Sequence, residues 1–273
     1  MPSRLRFALL LFALLLGVTA SAGGRKRDRS MRSSTGAAAL VEPDAMVARA
    51  MPARSVSAVT PFNSESVVSG GHINTSYREG IDVSHYQGTI DWDRVVEAGQ
   101  ISYAYLKATE GATYVDDTYE YNLREARRVG LSVGSYHFYR PNVSPRDQFD
   151  NIVRTIRADQ QDLVPIIDIE HRGNVSEEKF IADLTQLLQM VEKHYGKKPL
   201  LYSYQNFYNR HFAGRFSGYH WMIAKYQDEE PILTDGRDYI MWQYTSKGSL
   251  DGIRGHVDRS CLMGSYRLGQ VGL

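Results

Sequence analysis

The sequence predicts an α/β fold: a TIM-like barrel of eight strands, built as five strand–helix units followed by three strands with few helices. Three observations carry that expectation. From Gly80 onward, short β-branched and aromatic runs alternate with segments of helical period, the pattern of a parallel sheet with helices outside. Later the helical segments thin out, and three apolar runs follow, joined by loops with Asp-Gly and Lys-Gly turns. Polar and aromatic residues recur at the C-terminal ends of the runs, the rim on which barrels of this kind carry their sites.

The elements follow in order. Gly80–Ser84 reads as a short strand, and Asp91–Gly99 as a helix ended by glycine. Ile101–Thr109 is a strand with Tyr103, Tyr105 and Lys107 at alternate positions. Asp117–Gly130 is a helix, Leu131–Tyr139 a strand stopped by Pro141, and Ser144 caps a helix running to about Ala158. Asp162–Glu170 is a buried strand, β-branched and aliphatic, with Pro165 near its start. Ser176 caps a long helix in which Phe180, Ile181, Leu184, Leu187, Leu188 and Val191 recur at helical spacing, and Gly196 stops it. Pro199–Tyr204, His220–Tyr226, Tyr239–Thr245 and His256–Leu262 complete the eight strands.

Residues before the barrel have a different character. Arg4 and Arg6 precede the apolar run Phe7–Leu16, and Ala20-Ser-Ala22 supplies a small-residue cleavage site, so 1–22 reads as an export signal, with an uncleaved anchor as the alternative. The apolar run is short for a transmembrane helix, and no Cys near the cleavage site would take a lipid. Residues 23–77 read as a disordered, basic, Ser- and Ala-rich linker, leaving 78–273 as the folded domain. The charge changes sign at that boundary: 1–79 carry ten Lys and Arg against five Asp and Glu, the rest 22 against 26. This balance gives no argument for nucleic acid as a partner. Cys261 is alone, so no internal disulfide forms, and a buried small apolar role suits it better than nucleophilic catalysis.

Chemistry concentrates at the end of the fourth strand. Asp168 and Glu170 flank Ile169 at strand spacing, so both side chains leave one face, with Cα atoms roughly 6.5–7 Å apart. Mutual repulsion and burial keep one of them protonated above its ordinary range. One acid beside one carboxylate is what glycoside hydrolysis needs around an oxocarbenium-like transition state; the alternative is a pair of strand-end carboxylates that cap a helix or bind Lys or Arg. The other strand ends offer Asp82, Lys107, Glu110, Tyr136, His137, Tyr139, Tyr202, Tyr204, Trp221, Lys225, Tyr226, Trp242, Gln243, Tyr244 and Asp258. Aromatic rims stack on sugar faces and carboxylates bind hydroxyls and amides, although core packing with a satisfied polar tip explains many single Tyr and Trp residues. His85 and His137 lack metal-ligand spacing, so no metal is expected.

The chain resembles glycoside hydrolase family 25, lysozymes that cut peptidoglycan. The resemblance rests on Gly80-Ile-Asp-Val-Ser-His-Tyr-Gln-Gly88 with Ile90-Asp-Trp92, on Tyr105-Leu-Lys-Ala-Thr-Glu-Gly111, and on Gly134-Ser-Tyr-His-Phe-Tyr139. Pro165-Ile-Ile-Asp-Ile-Glu170, Met241-Trp-Gln-Tyr244 and Val257-Asp258 continue it to the C-terminus in family order. It implies an N-acetylmuramidase that cleaves the β-1,4 bond from N-acetylmuramic acid to N-acetylglucosamine without metal or organic cofactor. By the match Glu170 is the general acid, Asp168 its partner, and Asp82 and Asp258 supporting carboxylates. Tyr136, His137, Tyr139, Tyr202, Trp221, Lys225, Trp242, Gln243, Lys107 and Glu110 are then expected on the substrate side, with Lys107 and Glu110 orienting the carboxylates. Asp168 is expected deep in a ring of donors that favour its charge, titrating below Glu170. The expected partner is a peptidoglycan glycan strand, met outside the cytoplasm by a monomer with no stable membrane insertion once the signal is removed. Two rivals remain in view. A chitinase-like barrel would carry an acidic residue where Ile166 stands, and a non-catalytic wall-binding module would not need the intact Asp168/Glu170 pair.

Overall fold

The structure is a computed structural model that describes residues 78–99 and 101–273. The expected signal segment 1–22 and linker 23–77 lie outside the described residues. Eight strands close into a barrel: β1 (Glu79–Val83), β2 (Ile101–Glu110), β4 (Ser132–Phe138), β5 (Ile166–Asp168), β6 (Leu200–Tyr204), β7 (Trp221–Ala224), β8 (Met241–Gly248) and β9 (Val257–Leu262). β1 pairs with both β2 and β9, which closes the ring. Neighbours run parallel from β1 through β8, whereas β9 is antiparallel to β8 and β1. A ninth strand, β3 (Tyr114–Val115), folds back on the end of β2 outside the ring; two residues are too few to show a period in sequence.

Helices α1 (Trp92–Ala98), α2 (Tyr119–Arg128), α3 (Pro145–Thr155) and α4 (Glu177–Tyr195) fill the expected positions. The starts of α1, α3 and α4 are set by side chains that accept otherwise unpaired N–H groups: Asp91 from Arg94, Ser144 from Asp147, and Ser176 from Lys179. A further helix, α5 (Gln205–His211), follows β6, where five strand–helix units were expected but no helix range could be assigned. Its seven residues are too few for a clear period, yet it completes the fifth strand–helix unit. β5 is shorter than the expected 162–170. Pro165 offers no N–H, and the N–H groups of Asp162 and Leu163 turn to Val133 O while that of Val164 bonds Val271 O. The C-terminal segment is thereby drawn to the foot of the barrel.

Side-chain alternation on the strands makes two apolar layers. Ile81, Leu106, Val133, Ile167, Leu201 and Ile223 face outward and pack with Phe180, Leu184, Leu188 and Val191 of α4 and with the other helices. Tyr103, Tyr105, Ile166, Leu200, Tyr202, Met222 and Met241 face inward. Two cross-strand partners make room for the inward tyrosines. Gly80 stands opposite Tyr103 and Gly134 opposite Tyr105, and a Cβ at either glycine would lie 2.2 Å from a ring carbon. The inner layer plugs the lower barrel and leaves a cavity at the rim.

Candidate active site

Each inward strand end contributes to one cavity of about 330 Å³, at the small end of the range usual for ligand sites. Asp82 enters from β1, Lys107 from β2, Tyr136 from β4, Asp168 and Glu170 from β5 and the residues just beyond it, Tyr202 from β6 and Gln243 from β8. The reversed direction of β9 brings Asp258 to the same rim from the start of its strand, directly opposite Asp82. Four carboxylates therefore face one cavity.

Their surroundings differ. Asp168 is 7 % exposed, and its Oδ1 has no hydrogen-bond partner among the described residues. Burial, then the charges of Glu170 and Asp82, push its carboxyl well above the ordinary carboxylate range. Glu170 is less enclosed. Burial raises it too, while a hydrogen bond with Tyr204 opposes the rise. Asp82 is raised by burial and by Asp258, against a 2.9 Å hydrogen bond donated by Gln243 Nε2 to its Oδ2. Burial lifts Asp258 to about 6. Among the described residues, Asp168 Oδ1 therefore meets no donor of the expected ring, and the neutral Gln243 donor faces Asp82. Burial and its carboxylate neighbours lift Asp168 well above its usual range, and Glu170 is lifted too. The reason is physical: strand spacing specifies which face a carboxylate leaves, not which donors the far side of the barrel brings to it.

Lys107 is nearly buried. Its Nζ lies 2.7 Å from Glu110 Oε2 and over the rings of Phe138 and Tyr114. Glu110 also pairs with Arg140. Burial would raise Glu110, but the hydrogen bonds from Lys107 and Arg140 outweigh it and hold the carboxyl below its usual range. The positive charge of Lys107 is felt at both Asp168 and Glu170. Glu110 stands behind Lys107 and does not line the cavity.

Several expected substrate contacts lie elsewhere. His137 is fully buried, with Nδ1 2.8 Å from Thr109 Oγ1 and Nε2 3.1 Å from Gln148 Oε1 under α3; burial lowers it to about 4, so the ring is neutral. Tyr139 is buried against Phe180 of α4. Trp221 is buried against Tyr208 and Phe212. Lys225 and Trp242 line neighbouring grooves beyond Tyr226: Lys225 Nζ donates to Glu230 O, and Trp242 Nε1 donates to Lys225 O. His137, Tyr139, Trp221, Lys225 and Trp242 share one cause. Each sits one residue out of step with an inward neighbour, His137, Trp221 and Trp242 within a strand and Tyr139 and Lys225 one residue past a strand end, which sends the side chain to the opposite face. Conversely Tyr86, Gln87, Phe138 and Ser246 line the cavity unforeseen. Tyr86 and Gln87 follow Asp82 within five residues, on a 3₁₀ turn capped by Ser84, and only that turn aims them at the rim. Among the described residues, His85, Asp116 and Asp117 bring three potential metal donors together. The Asp116 carboxylate is already taken by the N–H and Nδ1 of His85 and by the N–H and hydroxyl of Thr118, which makes the group a clasp between loops.

Comparison with known proteins agrees with this architecture. The model for Glycosyl hydrolases family 25 matches residues 81–253. "Uncharacterized protein YegX" of Escherichia coli (strain K12) is 38 % identical over 190 residues, 68 % of this chain and 70 % of its own length. "Lysozyme M1" of Streptomyces globisporus is 31 % identical over 211 residues, 71 % of each chain. Among solved structures, a family 25 glycosyl hydrolase from Bacillus anthracis superposes with a TM-score of 0.65 at 30 % identity, over 74 % of this chain and 96 % of that one. A bacterial lysozyme from Streptomyces coelicolor superposes with 0.64 at 29 %, over 72 % and 96 %. A barrel of this topology and a match of that extent lead to one conclusion: the chain belongs to glycosyl hydrolase family 25.

Proposed function

We propose that this enzyme is an N-acetylmuramidase that cleaves the β-1,4 bond between N-acetylmuramic acid and N-acetylglucosamine in peptidoglycan, with Glu170 as general acid and Asp168 as its partner. The observation that carries the reading is the placement of Asp168 and Glu170, two residues apart, in one cavity that also holds Asp82 and Asp258. Glu170 is the more open of the two and has the longer reach. With its carboxyl raised, it gives a proton to the glycosidic oxygen as the bond from the anomeric carbon breaks; as a carboxylate it then takes a proton from the water whose oxygen bonds to that carbon. Asp168 acts once ionised. Its carboxylate lines the cavity beside Glu170, where its charge offsets the positive charge that develops on the sugar ring. Tyr86, Tyr136 and Tyr226 supply aromatic surface along the walls. The substrate lies outside the cytoplasm, so the enzyme works after export directed by residues 1–22. A chitinase-like specificity is the second outcome to test, since the same cavity could admit an unbranched N-acetylglucosamine chain.

The test is mass spectrometry of fragments released from purified peptidoglycan after borohydride reduction. Muramitol at the new reducing end is expected; glucosaminitol ends, or cleavage of chitin oligomers at comparable rate, would overturn the assignment. Glu170→Gln keeps size and shape but has no proton to give. Its rate should fall by about 10²–10⁴-fold with the fold intact, and near-normal release would remove Glu170 from the role.

A further inference from the structure

Gln243 was expected to touch substrate; it lines the cavity, but its amide oxygen and one of its two N–H groups are bound inside the protein. It is 2 % exposed. The hydroxyls of Tyr202 and Tyr226 each donate to Oε1, both at 2.8 Å. An amide oxygen has two lone pairs, so this acceptor is full. On the other side Nε2 donates to Asp82 Oδ2 at 2.9 Å. The amide has one sensible orientation here. Turned over, it would present an oxygen to the Asp82 carboxylate and would strand both phenol protons. It could then be tolerated only if Asp82 carried a proton.

We propose that Gln243 is a positioning residue: Tyr202 and Tyr226 pin its amide so that Nε2 holds Asp82 as an ionised, correctly aimed acceptor, which leaves proton donation in the cluster to Glu170. The proposal rests on the muramidase reading of the same cavity. Asp82 needs such support because little else around it favours charge. Asp258 faces it across the β1–β9 pair, Glu170 and Asp168 face it from the end of β5, Tyr103 and Tyr105 from β2 are buried beside it, and half-buried Tyr136 stands near it on β4. Lys107 also lines the cavity, but its ammonium is engaged by Glu110. Tyr226 is 41 % exposed and also lines the cavity, so a sugar contact at its ring is passed to Asp82 through one amide.

The test compares the full chain with Gln243→Leu, Tyr226→Phe, Asp82→Asn and the double variant Asp82→Asn/Gln243→Leu. The first readout is carboxyl ¹³C NMR against pH, with the Asp82 signal assigned by its loss in Asp82→Asn. This readout is independent of turnover, so it separates the proposal from the muramidase reading, which fails by itself if wild-type protein releases no muramitol ends. Removing a donor from the ionised form raises a carboxyl, so the Asp82 titration should move up by about one to two pH units in Gln243→Leu, the size of a hydrogen bond to a charged group. In Tyr226→Phe it should move less, in the same direction. The second readout is the pH profile of kcat/KM on soluble glycan strands stripped of peptide. In Gln243→Leu its acidic limb should shift upward with KM little changed, and in the Asp82→Asn background the second substitution should add no shift. A KM that rises with both titrations in place would make Gln243 a substrate-binding residue. Lower kcat with an unmoved Asp82 titration would make it structural. Either result overturns the proposal. If Gln243→Leu fails to fold by circular dichroism, Tyr226→Phe carries the decision on the same two readouts.

Discussion

Asp258 and Asp82 are directly opposed across an antiparallel pair, where like charges are unfavourable. The arrangement suits a reaction rather than a fold. Burial of Asp258 at this rim has a consequence of definite sign. A carboxyl lifted to about 6 in the folded chain, against about 3.9 unfolded, binds its proton more tightly when folded. The fold is therefore penalised above pH 6 and relieved as pH falls through that value. Asp258→Asn should stabilise the protein at pH 7.5 by about 1–2 kcal/mol, allowing for its partial exposure to solvent. The gain should shrink toward nothing near pH 4, where the wild-type carboxyl is already neutral. Thermal melts at the two pH values check this, and an equal gain at both would show that charge is not the cause. Activity should fall in the same variant, the usual opposition between a strained site and a stable one.

Among the elements, β2 and β4 show how the floor of the cavity is made. Tyr105 lies fully buried over Gly134, its cross-strand partner, and its hydroxyl reaches Val164 O at 3.3 Å. The glycine is required by close approach, not by backbone angle. Gly134→Ala should cost about 1–3 kcal/mol, since the ring has no free volume to enter. Tyr105→Leu in the same chain should recover part of that loss, because the two substitutions share one space. Urea midpoints at unchanged slope measure both. If alanine at this position is neutral, the ring moves more freely than its burial implies. The same strands show why neighbouring residues have unlike roles: Tyr136 lines the cavity, and His137 beside it packs under a helix.

At the level of the molecule, closure depends on β1, which bonds to β2 on one side and β9 on the other. A chain beginning at about Ser76 should fold and cleave peptidoglycan, since it keeps β1 whole and starts near the break in charge and composition. A chain beginning at Ser84 should not fold cooperatively, for it opens the barrel and removes Asp82. Circular dichroism melts and release of fragments from peptidoglycan decide both. Inactivity of the longer chain beside an active full-length protein would show that the preceding residues belong to the working unit.

What the sequence determined by itself was local and periodic. The run ending in Asp168 and Glu170 fixes two carboxylates on one face because the side-chain period of a strand is a property of the backbone. The long helix at Glu177–Tyr195 was equally legible, with a capping serine, a regular apolar stripe and a terminal glycine. Tertiary structure decided what depends on the other side of the barrel. It chose which of Tyr136 and His137 turns inward, sent Tyr139 and Trp221 to the helices, and reversed β9 so that Asp258 meets Asp82. It also directed the Gln243 amide to Asp82 and left Asp168 Oδ1 without a donor among the described residues. The physical reason is range: alternation along a strand is encoded by neighbours, whereas a donor, a like charge or a facing ring comes from residues far away in the chain, brought near only when the barrel closes.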